Sequence, residues 1–315
     1  MLKSRSPRSK AMPVLLLAAS FFFASQSGLT SAQAPGKRED PVGMRDIKDL
    51  RLVYNVPGMA RASVKKNIIY KRAGDRDMKM DAYLPPGLRP GSELPVVIFI
   101  HGGQVPSNLL TEPKDWGVFI SYGQLMAASG LAAITFNHRY YSPTSLRDSE
   151  SDVADLIKYV RDHAKSLNID GDRICLWVFS GGGPLLSFAL RDAPSYVRCM
   201  VSYYGLLDLQ KARKHFPDSV TDETLRDLSA VYHLKNGSKP MAPMLIARAG
   251  QDIPEINESV ASFVQEAFVK NAPVEVINHP AGRHGFDVLN NDERSREIIR
   301  ATVEFVKTHL AETEK

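Results

Sequence analysis

The stretch Arg173-Ile-Cys-Leu-Trp-Val-Phe-Ser180-Gly-Gly-Gly-Pro-Leu-Leu-Ser-Phe-Ala-Leu190 decides the fold. Residues 173–179 form an apolar run rich in β-branched and aromatic types, the signature of a buried strand. One serine, three glycines and a second apolar run of helical character follow. A strand that turns sharply into a helix through Ser-Gly-Gly-Gly has the layout of a nucleophile elbow. On such a turn the serine is held in a strained conformation with its hydroxyl exposed, and the glycines remove Cβ atoms that would clash between strand and helix. The helix start offers free N–H groups and a positive dipole end where an oxyanion would form. Pro184 falls in the first helical turn, where a missing N–H is tolerated. Val178 stands where the usual Gly-x-Ser-x-Gly pattern has its first glycine, and a branched residue there is expected to crowd the turn; Gly182 fills the second position. A phosphate-cradling loop would need Gly-Lys-Ser/Thr at its end, and no lysine is present.

Outward from this stretch, strands alternate with helices. Val64–Arg72 and Met78–Leu84 predict a hairpin. Val96–Ile100 predicts a buried strand ending in His101-Gly102-Gly103-Gln104, and Leu131–Phe136 the next, followed by Asn137–Pro143. Val197–Tyr204, Pro243–Ala249 and Val274–Asn278 complete the strands. Trp116–Ser129, Asp148–Leu167, Pro254–Lys270 and Glu293–Leu310 carry helical spacing. Most strands are continuous apolar runs, so the expected fold is α/β: a mostly parallel central sheet with helices on both faces. Residues 206–240 are polar and broken, with short helical pieces such as Thr221–Tyr232, and read as a small cap inserted in a domain spanning 63–315.

Open parallel sheets bind ligands at the carboxyl ends of their strands. Those ends carry His101-Gly102-Gly103, Ser180, Asp252 and His284. Serine is a weak nucleophile, so a histidine must take its proton and a carboxylate must orient that histidine. Ser180, Asp252 and His284 follow the chain order of the Ser…Asp…His triad. Asp252 also suits the cap of the helix that follows, Asp208 is a second candidate acid, and His279 competes with His284 but precedes Pro280 and reads as structural. The backbone N–H groups of Gly103, Gln104 and Gly181 are the expected oxyanion donors, with His101 shaping their loop.

Composition narrows the class. The net charge of +5 belongs largely to residues 1–34, which carry Lys3, Arg5, Arg8 and Lys10 and no acid; the remainder has 36 basic against 35 acidic residues, which argues against a nucleic-acid partner. A basic start, an apolar stretch from Ala11 to Ala24 and the Ala32-Gln33-Ala34 site predict a cleaved signal peptide and a secreted or periplasmic protein, with no stable membrane insertion after cleavage. Residues 35–62 read as a linker or arm. Cys175 and Cys199, the only cysteines, read as buried thiols. No cofactor or metal is expected, because the eight histidines are scattered without ligand spacing. Asn236-Gly-Ser238 and Asn257-Glu-Ser259 are glycosylation sequons.

Taken together, His101-Gly102-Gly103, Arg139-Tyr140…Ser142-Pro143, Phe179-Ser180-Gly181-Gly182, Gly250-Gln251-Asp252 and His284-Gly285-Phe286 make residues 64–310 resemble an α/β-hydrolase of the esterase/lipase kind, near the dienelactone hydrolase-like and hormone-sensitive lipase-like groups. The resemblance implies a serine hydrolase acting on a small-molecule ester through an acyl-enzyme. Gln104 departs from it where lipase-like members have a third glycine. The charges of 206–240 and its sparse large apolar residues predict a short-chain soluble ester as substrate. Two rival classes remain. A serine peptidase of the prolyl-oligopeptidase type normally carries a large N-terminal propeller, which this arm is too short to make. A non-catalytic binding protein of the same fold would be expected to lack a triad member.

Overall fold

The structure, a computed structural model, describes residues 49–311 apart from Pro90, Pro106, Asn108 and Leu110; the signal-peptide reading and the first part of the arm lie outside the described residues. Eight strands form one sheet: β1 (Ser63–Ala73), β2 (Arg76–Leu84), β3 (Leu94–Ile100), β4 (Ala132–Phe136), β5 (Ile169–Phe179), β6 (Val197–Tyr203), β7 (Met244–Ala249) and β8 (Val274–His279). Their spatial order is β1-β2-β4-β3-β5-β6-β7-β8. The hairpin pairs antiparallel, β2 joins β4 antiparallel, and every later pair is parallel. This is the α/β architecture that the apolar runs and intervening helices predict.

Alternation along the strands divides the interior in two. Phe99, Cys175, Trp177, Phe179 and Tyr203 point to one face, under the helices Gly117–Ala128 and Glu293–Leu310. Ile98, Ile100, Leu176 and Val178 point to the other, under Leu146–Asp162 and Pro254–Val269. Burying each such side chain stabilises the fold by roughly 1.5–3 kcal/mol, so β5, central and covered on both sides, is held from both faces. Cys175 and Cys199 are direct register partners on β5 and β6, both buried and unbridged.

Two local differences from the sequence expectations have physical causes. Val178 does not crowd the turn: it lies within β5, wholly buried and paired with Ile100 and Ser202, on the face away from Phe179. After Ser180 the chain enters a 3-10 helix, Ser180–Leu186, and becomes α-helical only over Ser187–Asp192. Three glycines and a proline supply neither the side-chain contacts nor the N–H that would tighten a regular first turn. The described part of the arm is packed rather than loose: Leu52 and Met59 are buried, and the Val53 N–H donates to the Asp287 carbonyl.

Candidate active site

Ser180 sits at the carboxyl end of β5 with φ of 52°, a left-handed conformation that costs an ordinary residue on the order of 1–3 kcal/mol and is sustained only by its surroundings. Those surroundings are the loop after β3. A Cβ at Gly102 would stand 2.3 Å from the Phe179 carbonyl oxygen and 2.7 Å from the Ser180 Cβ, and one at Gly181 would stand 2.9 Å from the Gly103 nitrogen. Only residues without side chains allow the two loops to come this close. The Leu206 N–H donates to the Ser180 carbonyl at 2.9 Å and pins the turn from the β6 side. Of the expected oxyanion donors, Gly103 and Gly181 therefore meet at the elbow; next to Gln104, the Val105 N–H donates to the Tyr140 carbonyl at 2.7 Å.

Asp252 and His284 are brought together by β7 and β8. The Gly250 N–H donates to the His279 carbonyl at 2.9 Å and the Gln251 N–H to the Gly282 carbonyl at 2.8 Å, so the loops leaving the two strands are stitched to each other. The Asp252 carboxylate then has two uses. Oδ1 accepts from the Ile253 N–H at 2.8 Å, and Oδ2 accepts from Nδ1 of His284 at 2.7 Å. The Asp252 side chain is 1% exposed and that of His284 12%, so the pair is shielded while the imidazole keeps an open side. The Asn257 amide donates to the Asp252 carbonyl, and Ser259 is fully buried with its hydroxyl accepting from the N–H groups of Leu207 and Asp208; that sequon is built into the fold.

The competing candidates are occupied elsewhere. Asp208 caps the 3-10 helix Leu209–His215, accepting from the Gln210 N–H and the Ser262 hydroxyl. His279 is buried against Asp292 and Ser295. His101 is buried and stacked on His138, with its Nδ1 3.1 Å from the Gly102 carbonyl.

Three side chains unforeseen in the sequence also reach the site. The Tyr204 ring lies 4.6 Å from the His284 ring, centroid to centroid. Its hydroxyl donates to Asp287 Oδ1 and that of Tyr122 to Asp287 Oδ2, each at 2.7 Å. Burial raises the proton affinity of Asp287, against the lowering effect of both tyrosine hydroxyls and of nearby His284. Burial pushes the Tyr204 phenol well above its ordinary range, with the Asp287 charge adding to it, so the ring stays a neutral donor. The one available signal was position: Tyr204 follows the carboxyl end of β6, on the same sheet edge as Ser180.

The arrangement contains a strained serine, a buried carboxylate–imidazole pair and, beside the serine, the backbone nitrogens of Gly103 and Gly181, groups that acyl transfer can use. Among the described residues no group of His, Cys, Asp and Glu side chains could hold a metal ion, and no helix is long and apolar enough to cross a membrane.

Comparison with known proteins agrees with this chemistry. No curated protein matches the chain. Among solved structures, the native form of a thermophilic esterase from the Planctomycetes species Thermogutta terrifontis is similar over 83% of this chain and 96% of its own, at 20% identity and a TM-score of 0.63. Its butyrate-bound form is similar over 82% and 98%, at 20% identity and 0.61. The form phosphorylated by paraoxon is similar over 81% and 94%, at 20% identity and 0.59. At such identity the likeness is one of fold. The BD-FAE family model matches residues 80–252, more than half of the sequence, and the chain therefore belongs to the BD-FAE family of α/β-hydrolase-like esterases.

Proposed function

We propose that the protein is a serine esterase that cleaves short-chain carboxylic esters through Ser180, His284 and Asp252. The observation that carries this is the 2.7 Å contact between Asp252 Oδ2 and His284 Nδ1 on the sheet edge that also bears the left-handed Ser180. With Nδ1–H donated to Asp252, Nε2 of His284 serves as the base. It takes the Ser180 proton as Oγ attacks the ester carbonyl, and returns it to the leaving alcohol. The N–H groups of Gly103, Gln104 and Gly181 stabilise the oxyanion, and water then hydrolyses the acyl-enzyme by the same steps.

The short-chain reading draws on residues 206–240. Leu209, Phe216, Val220, Leu225 and Leu228 are buried, so the segment does have an apolar inner side, contrary to its sparse appearance in sequence; that side faces the protein core. Its outer side carries Lys211, Lys214, Asp218, Asp222, Glu223 and Arg226, and among its described residues Tyr232 is the only large apolar side chain that is exposed. An oil–water interface would require a broad apolar face. The Thermogutta terrifontis esterase has been seen with butyrate and with propionate, and is phosphorylated by paraoxon, which supports both the short acyl group and a reactive nucleophile.

The test is a fluorophosphonate label followed by a p-nitrophenyl ester series at fixed pH. Stoichiometric labelling is expected, as is a kcat/KM for acetate to butyrate at least about tenfold above decanoate, some 1.4 kcal/mol of transition-state discrimination. No labelling would leave a binding protein; a maximum at long chains would overturn the short-chain assignment. We further propose export. Mass spectrometry of the protein from its native host should find a mature N-terminus between about residues 25 and 36. Met1 retained on exported protein would contradict cleavage.

A further inference from the structure

Asp287 is a buried carboxylate that the proposed reaction does not use, yet it stands behind the catalytic base. It lies three residues beyond His284, at the start of the short helix Phe286–Leu289, and is fully enclosed. Its two carboxyl oxygens accept one hydroxyl each, from Tyr204 and Tyr122, at 2.7 Å. A carboxylate with both oxygens accepting is the arrangement of the charged form. Three separate parts of the chain converge on it. Tyr122 comes from the helix Gly117–Ala128, Tyr204 from the end of β6, and Val53, in the arm, donates its N–H to the Asp287 carbonyl at 2.9 Å.

Tyr204 links this group to the site. Its φ is 39°, a conformation that a bulky residue rarely adopts, and the Leu206 N–H two residues later holds the Ser180 carbonyl. The ring lies against the His284 imidazole at 4.6 Å while its hydroxyl is tied to Asp287. A backbone strained at this point is sustained by the surrounding contacts, and the Asp287 bond is one of them.

We propose that Asp287 is a positioning residue for the catalytic base: through Tyr204 it fixes the face of the His284 imidazole, and its charge adds to that of Asp252 in stabilising the imidazolium. The inference rests on the assignment of His284 as base. The titratable groups facing the imidazole are Asp252 from the loop after β7, Tyr204 from the end of β6 and Asp287 from its own loop, with Tyr122 behind the last. The electrostatic part is Coulomb's law: a negative charge behind the imidazole favours the imidazolium that forms during proton transfer. Loss of the charge therefore moves the acid limb of the pH–rate profile to lower pH.

The experiment compares wild type with Asp287→Asn and Tyr204→Phe, each counted by fluorophosphonate labelling so that rates are per active site. Asp287→Asn is expected to lower kcat about tenfold, inside the ~10²-fold that misplacing a reacting group can cost, with KM within about twofold. The acid limb of kcat/KM should move down by about half a pH unit. Tyr204→Phe keeps the ring and loses the bond, and should move both readouts the same way by less. A purely structural Asp287 would lower Tm or the labelled fraction and leave the rate per site and the pH limb unchanged; that result overturns the proposal. Where Asp287→Asn fails to fold, the pH limb of Tyr204→Phe decides by the same criterion. Failure of the underlying assignment looks different: Ser180 would not label, or Ser180→Ala would keep its activity.

Discussion

His101 and His138 stack face to face, ring centroids 3.6 Å apart and planes 6° from parallel, both buried at the carboxyl ends of β3 and β4. Nε2–H of His138 donates to the His101 carbonyl at 3.1 Å, which ties β4 to the loop that faces Ser180. His101 Nε2 and His138 Nδ1 are buried without a hydrogen-bond partner among the described residues. A proton added to either ring would meet no acceptor and would lie against the other ring. Burial holds His138 down at about 3 and pushes His101 down as well, with neighbouring His138 adding to it.

A pH prediction follows from that pair. Both groups bind protons more readily unfolded, where histidine titrates near 6.5, than folded. Stability is thus complete above about pH 6.5 and is lost as pH falls toward about 3, each histidine costing up to ~1.4 kcal/mol per pH unit in that window. Ordinary carboxylates titrate near pH 4, so the interval from about pH 6.5 to 4.5 lies mostly above them and reads chiefly histidine protonation. Tm measured by scanning fluorimetry should fall across this interval. His138→Phe, which keeps a ring against His101 and cannot titrate, should flatten the fall; an unchanged Tm in wild type from pH 7 to 4.5 would contradict it.

Ser180→Ala should lower kcat by on the order of 10⁴–10⁶, His284→Ala nearly as much, and the double variant little more, because such residues act as a unit. Asp252→Asn should cost less than either. Asp208→Asn should cost least, since its carboxylate is occupied by Gln210 and Ser262. Single-turnover and steady-state rates on p-nitrophenyl butyrate would read all five; a larger loss at Asp208 than at Asp252 would reassign the acid.

Gly102→Ala is a test of the elbow's packing. The new methyl would collide with the Phe179 carbonyl and the Ser180 Cβ, both parts of the turn that carries Ser180 rather than a yielding side-chain tip. Overpacking of this kind costs about 1–3 kcal/mol, and the displaced loop should lower kcat by roughly 10²-fold. Wild-type kcat in a folded variant would show that the two loops are further apart than described.

Lys114 and Asp81 form an ion pair, N to O 3.2 Å, in which each side chain is only 1% exposed. Asp81 also accepts from the Asn67 N–H at 2.7 Å, and Lys114 also bonds Asp115. Lys114→Met strands a buried carboxylate and should cost about 3–5 kcal/mol in urea unfolding. Adding Asp81→Asn removes the charge while keeping an acceptor for Asn67, so the double variant should recover much of the loss. A single variant as stable as wild type would show that water reaches Asp81.

Local chemistry carried most of the architecture. Largely apolar runs at 96–100, 131–136, 173–179, 197–204 and 243–249, too short for helices of ordinary length, read as strands buried on both faces, and the intervening helical periodicity points to a parallel sheet. Ser180-Gly-Gly-Gly is legible for the same reason: few turns other than a strand-to-helix elbow need so many missing side chains at once. What no local pattern contains is which distant residues meet. The choice of Asp252 over Asp208 as the partner of His284 follows from β7 and β8 being neighbours in the sheet. The contact of Tyr122 with Asp287 spans 165 residues and exists because β6, the helix Gly117–Ala128 and the loop after β8 close over one face. The harmlessness of Val178 and the inward aim of the leucines in 206–240 were likewise decided by the face on which each side chain emerged. The sequence alone determines such faces strand by strand and helix by helix; only the assembled sheet, whose strand order is non-consecutive, determines what lies opposite them.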